Sequence, residues 1–160
     1  MEHNALKKTS REASLPNKRP AYSLVVDYDK PVEEMIKSGL YDVLDGDITS
    51  KRFPTKRVGK TEIAVKLVHF NRPISNDEAI KELNLMGYRP AKFYELLAFG
   101  EKYPEIQRKF PIIAPGSVWR RSDGRRYIPY LDSIGSKRGL FLVWFGRFWV
   151  KCVRFAAVRK

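Results

Sequence analysis

An α+β fold in a single domain is what the sequence predicts, on three observations. The chain has 160 residues, 43% of them hydrophobic, which is enough to bury one core without staples. Capped helical periodicities fall in its first two-thirds, whereas from Pro111 onward the text is short strands and turns. No internal repeat or low-complexity block divides it.

Residues 1–19 are charged but lack an apolar stretch of signal-peptide length, so they read as a loose basic tail, with the domain occupying 20–160. AYSLVVDYD has the β-branched and aromatic content of a strand, and PVEEMIKSGL the proline-first, glycine-last pattern of a short helix. TEIAVKLVHF is the clearest strand of the next segment, with Ile63, Val65 and Leu67 or Val68 pointing inward, and a pair of strands is expected to join around Thr55 to Gly59. Ser75-Asn76-Asp77 caps a helix over EAIKELNLMG, with Ala79, Ile80, Leu83 and Leu85 or Met86 at helical spacing and Gly87 as its stop. A further helix runs through AKFYELLAFGEKYPEIQRKF, with Phe93, Leu96, Leu97 and Ile106 on its apolar side and breaks at Gly100 and Pro104. Asp123-Gly124 then marks a hairpin turn.

The net charge of +13 is unevenly placed. Residues 20–116 carry fifteen Lys/Arg against fourteen acids, but residues 117–160 carry eleven against two, together with all three tryptophans. Cations interleaved with rings suit a single-stranded nucleic-acid platform, in which guanidinium meets phosphate and rings stack on bases. The same composition also describes a core lined by rings beneath a solvated basic surface. A membrane span is excluded for the terminal stretch: it needs about 20 apolar residues, and Arg138, Arg147, Lys151 and Arg154 leave only Gly139 to Gly146 uninterrupted.

Enzyme chemistry finds no foothold. Gly59-Lys60-Thr61 ends like a phosphate-binding loop, but Pro54 stands where its first glycine belongs, and proline has neither the donor nor the freedom to wrap a phosphate. Asp42, Asp45 and Asp47 miss the ligand spacing of a calcium loop and read as turn caps. With His3 and His69 the only histidines and Cys152 the only cysteine, neither a zinc cluster nor a disulfide framework is available. Cys152 lies between Lys151 and Arg154 without a recognisable base. No cofactor, metal or catalytic group is therefore expected.

Two stretches together resemble a family. NDEAIKELNLMGYRPAKFYELLAFG resembles the helical half of the C-type-lectin fold of formylglycine-generating-enzyme-like domains, with Gly87-Tyr88-Arg89-Pro90 and Glu95 in the pattern and Pro-Ala-Lys where that family has Leu-Pro-Thr. The chain's end resembles the last strands of the variable proteins of diversity-generating retroelements, through Gly135-Ser136, Arg138, Trp144-Phe145, Trp149 and Arg154-Phe155-Ala156-Ala157-Val158. The resemblance covers about residues 60–160. It implies a C-type-lectin-like fold with two helices packed on small antiparallel sheets, and a non-enzymatic display protein, on a virion or cell surface, that binds a protein or glycan. The cysteines of formylglycine chemistry are missing. A basic nucleic-acid-binding domain is the alternative.

Strand alternation supports a display surface separately. In RGLFLVWF, Leu140, Leu142 and Trp144 fall on one face and Gly139, Phe141 and Val143 on the other. With Trp149 and Phe155 inward, the expected outer, ligand-binding set is Asp132, Ser133, Ile134, Gly139, Phe141, Val143, Arg147, Phe148, Val150, Lys151 and Cys152, within a variable region of about 130–153. Adenine mutagenesis of asparagine codons, which the resemblance implies, cannot produce Lys, so Lys151 alone of this set departs from that scheme.

Overall fold

A computed structural model describes residues 21–160; the expected tail lies outside the described residues. The chain opens with β1 (Tyr22–Asp27), α1 (Val32–Ser38), β2 (Val43–Leu44) and β3 (Lys60–Val68). After α2 (Asn76–Leu85), β4 (Tyr88–Pro90) and α3 (Phe93–Lys102) comes a 3₁₀ turn (Ile106–Arg108). The strands β5 (Ile112–Ile113), β6 (Trp119–Arg120), β7 (Arg126–Ile134), β8 (Lys137–Trp144) and β9 (Arg154–Arg159) complete it. The class is α+β.

One mixed sheet of nine strands, ordered β1-β3-β9-β5-β7-β8-β2, replaces the small antiparallel sheets expected, and three helices flank it rather than two. The cause is β9. Its Phe155, Ala156, Ala157 and Val158 are all buried, as befits a central strand covered on both faces. One edge of β9 pairs with β3, and the other is shared in tandem by β5, opposite Arg154 and Phe155, and β4, opposite Ala157 to Arg159. A strand so short on either side cannot form a sheet alone, so β9 joins both halves into one.

Successive residues of β9 serve opposite cores. Ala156 and Val158 join Leu24, Val65, Leu131 and Leu140 beneath α1 and α3, whose Met35, Ile36, Phe93, Leu96 and Leu97 close that side. Phe155 and Ala157 join Ile113, Ile128 and Val143 on the other side, under Ala79 and Leu83 of α2.

The helices follow their signals with two differences, and one strand pairing differs as well. Ser75 accepts from the Glu78 N–H at 3.1 Å to cap α2, and Gly87 takes φ +82° at its exit, as expected. Leu85, 73% exposed, and Met86 are not on the buried face: Ala79 and Leu83 lie four apart and complete the stripe, while position 85 is half a turn away. Gly100 does not interrupt α3. It lies buried within the helix, where a Cβ would collide with the Tyr41 hydroxyl. Nor do the strands join around Thr55 to Gly59, because β3 pairs with β1, across Tyr22↔Val65 to Asp27↔Lys60, and β2 runs parallel to β8 at the far edge.

The start of α3 is held from outside the helix. Lysine at the cap position, Lys92, offers no acceptor, so the Ser117 hydroxyl takes the Phe93 N–H at 2.8 Å and the Glu95 carboxylate takes the Lys92 N–H at 2.8 Å. Buried Glu95 also grips Arg89 with both oxygens, at 2.8 and 2.7 Å.

Candidate functional site

The C-terminal quarter is built on the β7–β8 hairpin, whose register sets which side chains share a face. Leu131 with Leu140, Pro129 with Leu142 and Tyr127 with Trp144 project to the side covered by α1 and α3; Asp132 with Gly139, Tyr130 with Phe141 and Ile128 with Val143 project to the other. The two sets are those that alternation predicts. Their exposure is not.

Residues 145–153 leave the end of β8 and fold back across the second face, inserting Phe145, Trp149 and Val153 into the core there. This covering segment buries Val143 and leaves Phe141 half-buried, with its ring 5.6 Å from that of Tyr130. Gly139 is also buried, and its carbonyl accepts from Gln107 Nε2 at 3.0 Å. Gly139, Phe141 and Val143 are therefore not part of an open surface, because alternation divides a strand into two faces without saying that both will be packed. Trp144 errs the other way: expected inside, it is 54% exposed, since the first core ends short of the last β7–β8 pair. Leu140 is fully buried, and Leu142 packs partly buried against the same core.

Asp132 and Ser133 are half-buried, and Ile134 is exposed at the turn that joins β7 to β8. That turn is the end of the hairpin opposite Trp144. The Asp132 carboxylate takes the Ser133 N–H at 2.7 Å, so it shapes the turn.

The segment Gly146 to Cys152 is the part that faces solvent. Arg147, Phe148, Val150, Lys151 and Cys152 are all exposed, Phe148 at 58% and Val150 at 61%, and only Trp149 among them turns inward. Its anchoring is unusually complete. The Trp149 indole N–H donates to Asn76 Oδ1 at 2.9 Å, and Asn76 Nδ2 donates to the Phe145 carbonyl at 2.7 Å. The backbones of Ile74 and Trp149 exchange bonds of 3.1 and 2.8 Å, and the indole meets the Tyr130 ring edge-on at 5.5 Å. Arg147 lies over the Trp149 ring at 5.1 Å. Burial raises the pKa of the Tyr130 phenol; the Asp132 charge adds to the shift and Arg147 opposes it.

At the far end of the segment, Lys151 and Cys152 rim a shallow cleft of about 210 Å³ with His69, Lys109 and Phe110. His69 Nε2 lies 2.7 Å from the Lys151 carbonyl, which gives this histidine the task of holding the segment's backbone. A larger hollow of about 480 Å³ lies between β1 and α3, away from this region, and its rim mixes Lys30, Lys60 and Lys102 with Asp27 and Glu101. Asp45 takes the Asp47 N–H at 3.0 Å, the turn-capping role expected of it.

Asn76 is the residue that sequence reasoning reads too narrowly. Its sequence signal, a place in a helix-capping Ser-Asn-Asp, accounts for the helix start, whereas the contact with Trp149 spans 73 residues and has no local signature. Arg138 is likewise more than a framework match. It is buried, and its guanidinium donates to three backbone carbonyls and a glutamine side chain.

The structure thus defines an α+β domain with one solvent-facing, internally anchored segment near its C-terminus. No family model, curated protein or solved structure matches the chain. No helix among the described residues is long and apolar enough to cross a membrane.

Proposed function

We propose that this is a non-enzymatic ligand-binding protein with a C-type-lectin-like fold, whose Gly146–Cys152 segment is the surface it presents to a protein or glycan partner. The observation that carries this reading is the division of labour within the segment. Five of its side chains face solvent, while its hold on the domain is concentrated in Trp149 and its bonds to Asn76 and Ile74. Side chains that contribute nothing to a core can be exchanged without opening a cavity, which is what a diversified display surface requires. An exposed ring and guanidinium, Phe148 and Arg147, are apt anchors because they offer contact area at low entropic cost.

The Gly87–Pro90 turn supports the lectin-like part of the reading. It lays β4 against the terminal strand, Arg89 opposite Val158, and launches α3 with Glu95 closing on Arg89. A retroelement origin implies a neighbouring reverse-transcriptase gene and an adenine-substituted near-copy of this coding segment.

A pool randomised at Arg147, Phe148, Val150, Lys151 and Cys152, with Trp149 and Asn76 kept, tests the proposal. Most members should fold cooperatively, and selection on immobilised proteins and glycans should enrich distinct sequences. Widespread unfolding of the pool would show that the segment is structural and end the display reading.

A further inference from the structure

A second feature lies on the other face of the hairpin and stands independently of the display reading. Tyr127 of β7 is paired directly with Trp119 of β6 on one side and Trp144 of β8 on the other. Directly paired residues project to the same face of a sheet, so three rings form a row across three adjacent strands. The Trp119 and Tyr127 centroids are 5.8 Å apart with planes tilted by 39°, and Trp144 ends the row in solvent. Gly146 leaves room for that ring, since a Cβ there would collide with the indole.

Guanidinium groups overlie the row. Arg52 sits 4.2 Å above the Trp119 ring, and Arg121 sits 5.6 Å from the Tyr127 ring and reaches its hydroxyl at 3.4 Å. Asp47 pairs with Arg52 at 2.6 Å, and Asp123 lies 3.9 Å from Arg125. Even so, the β6–β7 hairpin carries Arg120, Arg121, Arg125 and Arg126 against Asp123 alone, although Arg120 and Arg126 pair with each other on the opposite face of the sheet, where Arg126 overlies the Phe145 ring. Among the described residues, no carboxylate is within ion-pair distance of Arg120, Arg121 or Arg126.

We propose that the Trp119–Tyr127–Trp144 row is a stacking platform for single-stranded nucleic acid, with Arg121 and Arg125 of the hairpin turn following its phosphates. A sugar ring or an apolar side chain would also stack on tryptophan, but neither accounts for guanidinium groups held over the rings. Unstacked bases joined by phosphates satisfy both features at once, and every base offers a π-face, so sequence preference should be weak. An intact duplex hides its base faces and cannot use the row.

The test is a titration of the full chain with a labelled oligothymidylate of about 16 nucleotides, a duplex of the same length and a neutral oligosaccharide, over a range of salt. Single strands should bind best. If roughly two phosphates are neutralised, log affinity should fall with log salt at a slope of about −1.4. Trp144→Ala should weaken binding on the order of tenfold with the slope unchanged, and Trp144→Phe should restore part of it. Arg121→Ala with Arg125→Ala should instead flatten the slope by about 0.7 for each phosphate that is no longer neutralised. Phe148→Ala, on the display segment, should change nothing here. Absence of binding at low salt, equal binding of duplex, or a Trp144→Ala protein that binds like wild type would overturn the proposal. Salt-independent capture of the oligosaccharide, abolished in Trp144→Ala, would assign the row to a glycan and overturn it equally.

Discussion

Arg138 offers the most direct test of how this domain is held together. Its Nε donates to the Pro104 carbonyl at 3.0 Å, Nη1 to Gly39 at 2.7 Å, and Nη2 to both Gly100 and Gln107 Oε1 at 2.9 Å. The charge is met by these four oxygens and by the Tyr41 ring at 4.8 Å, while Asp42 is engaged with the Arg138 backbone N–H at 2.8 Å. One side chain of β8 thus closes the ends of α1 and α3 and the segment between α3 and the 3₁₀ turn. Gln107 cannot simply turn round if the guanidinium is removed, because its Nε2 is committed to the Asp132 and Gly139 carbonyls at 2.8 and 3.0 Å. Arg138→Met keeps the hydrocarbon volume and leaves four acceptors without donors. At about 1–3 kcal/mol for each buried group left unsatisfied, less the desolvation of the guanidinium that is recovered, the net loss should be about 3–5 kcal/mol. Arg138→Lys should fall short of rescue, since one ammonium cannot span acceptors set around a planar fork. Urea unfolding followed by far-UV circular dichroism measures this as a lower midpoint at unchanged m. Arg147→Met, a solvent-facing control, should stay within about 0.5 kcal/mol. An Arg138→Met protein within about 1 kcal/mol of wild type would refute the reasoning, because the four oxygens would then have to be hydrated.

Three further outcomes are expected. Glu95→Ala removes the partner of Arg89 and the acceptor of the Lys92 N–H; because Arg89 is 29% exposed, the loss in urea unfolding should be about 2–3 kcal/mol rather than the roughly 3–5 of a fully buried pair. Trp149→Ala should cost about 3–5 kcal/mol and strand Asn76 Oδ1, whereas Trp144→Ala should cost under about 1 kcal/mol, so thermal melts of the two variants should separate clearly. The Tyr41 hydroxyl is buried without a partner and burial raises its pKa, so its contribution to stability is present below the ordinary tyrosine range and lost as pH rises through and above it. Tyr41→Phe should be neutral or stabilising at pH 7 and should reduce, without abolishing, the alkaline loss, since Tyr28, Tyr94 and Tyr130 are raised by burial as well.

What could be read from the sequence was whatever depends on near neighbours. The Ser75 cap, the positive φ of Gly87 and the turn at Gly124, φ +87°, are each set by two or three residues, and each occurs where its signal stands. Alternation in β8 likewise sorts Leu140 from Val143 correctly, because pleating is local. The failures are all long-range. Pairing of β1 with β3 across α1 and β2, the parallel edge of β2, and the shared edge of β9 leave no mark in any window of ten residues. Met86 shows the limit on a single helix: an apolar residue three beyond Leu83, at an allowed spacing, is buried only if something lies opposite it, and it is 46% exposed.

The same limit explains why the candidate surface narrows from strand and loop together to the loop alone. Half of the outer face expected of β8 is covered by the segment that follows it, because Phe145, Trp149 and Val153 need somewhere to bury and the second face of β7–β8 is the nearest apolar surface. Covering that face places Val143 inside and sends the intervening residues of the segment outward, so exposure at Arg147, Phe148 and Val150 is the counterpart of burial at Trp149. A diversification scheme acting on this chain would therefore be constrained by anchors rather than by strands. Substitution should be tolerated at either side of Trp149 and not at it, and Asn76, far away in sequence, should be as intolerant as Trp149 because each satisfies the other. In a double-mutant cycle, Trp149→Phe and Asn76→Ala should therefore cost less together than the sum of their separate effects, whereas either change paired with Phe148→Ala should add.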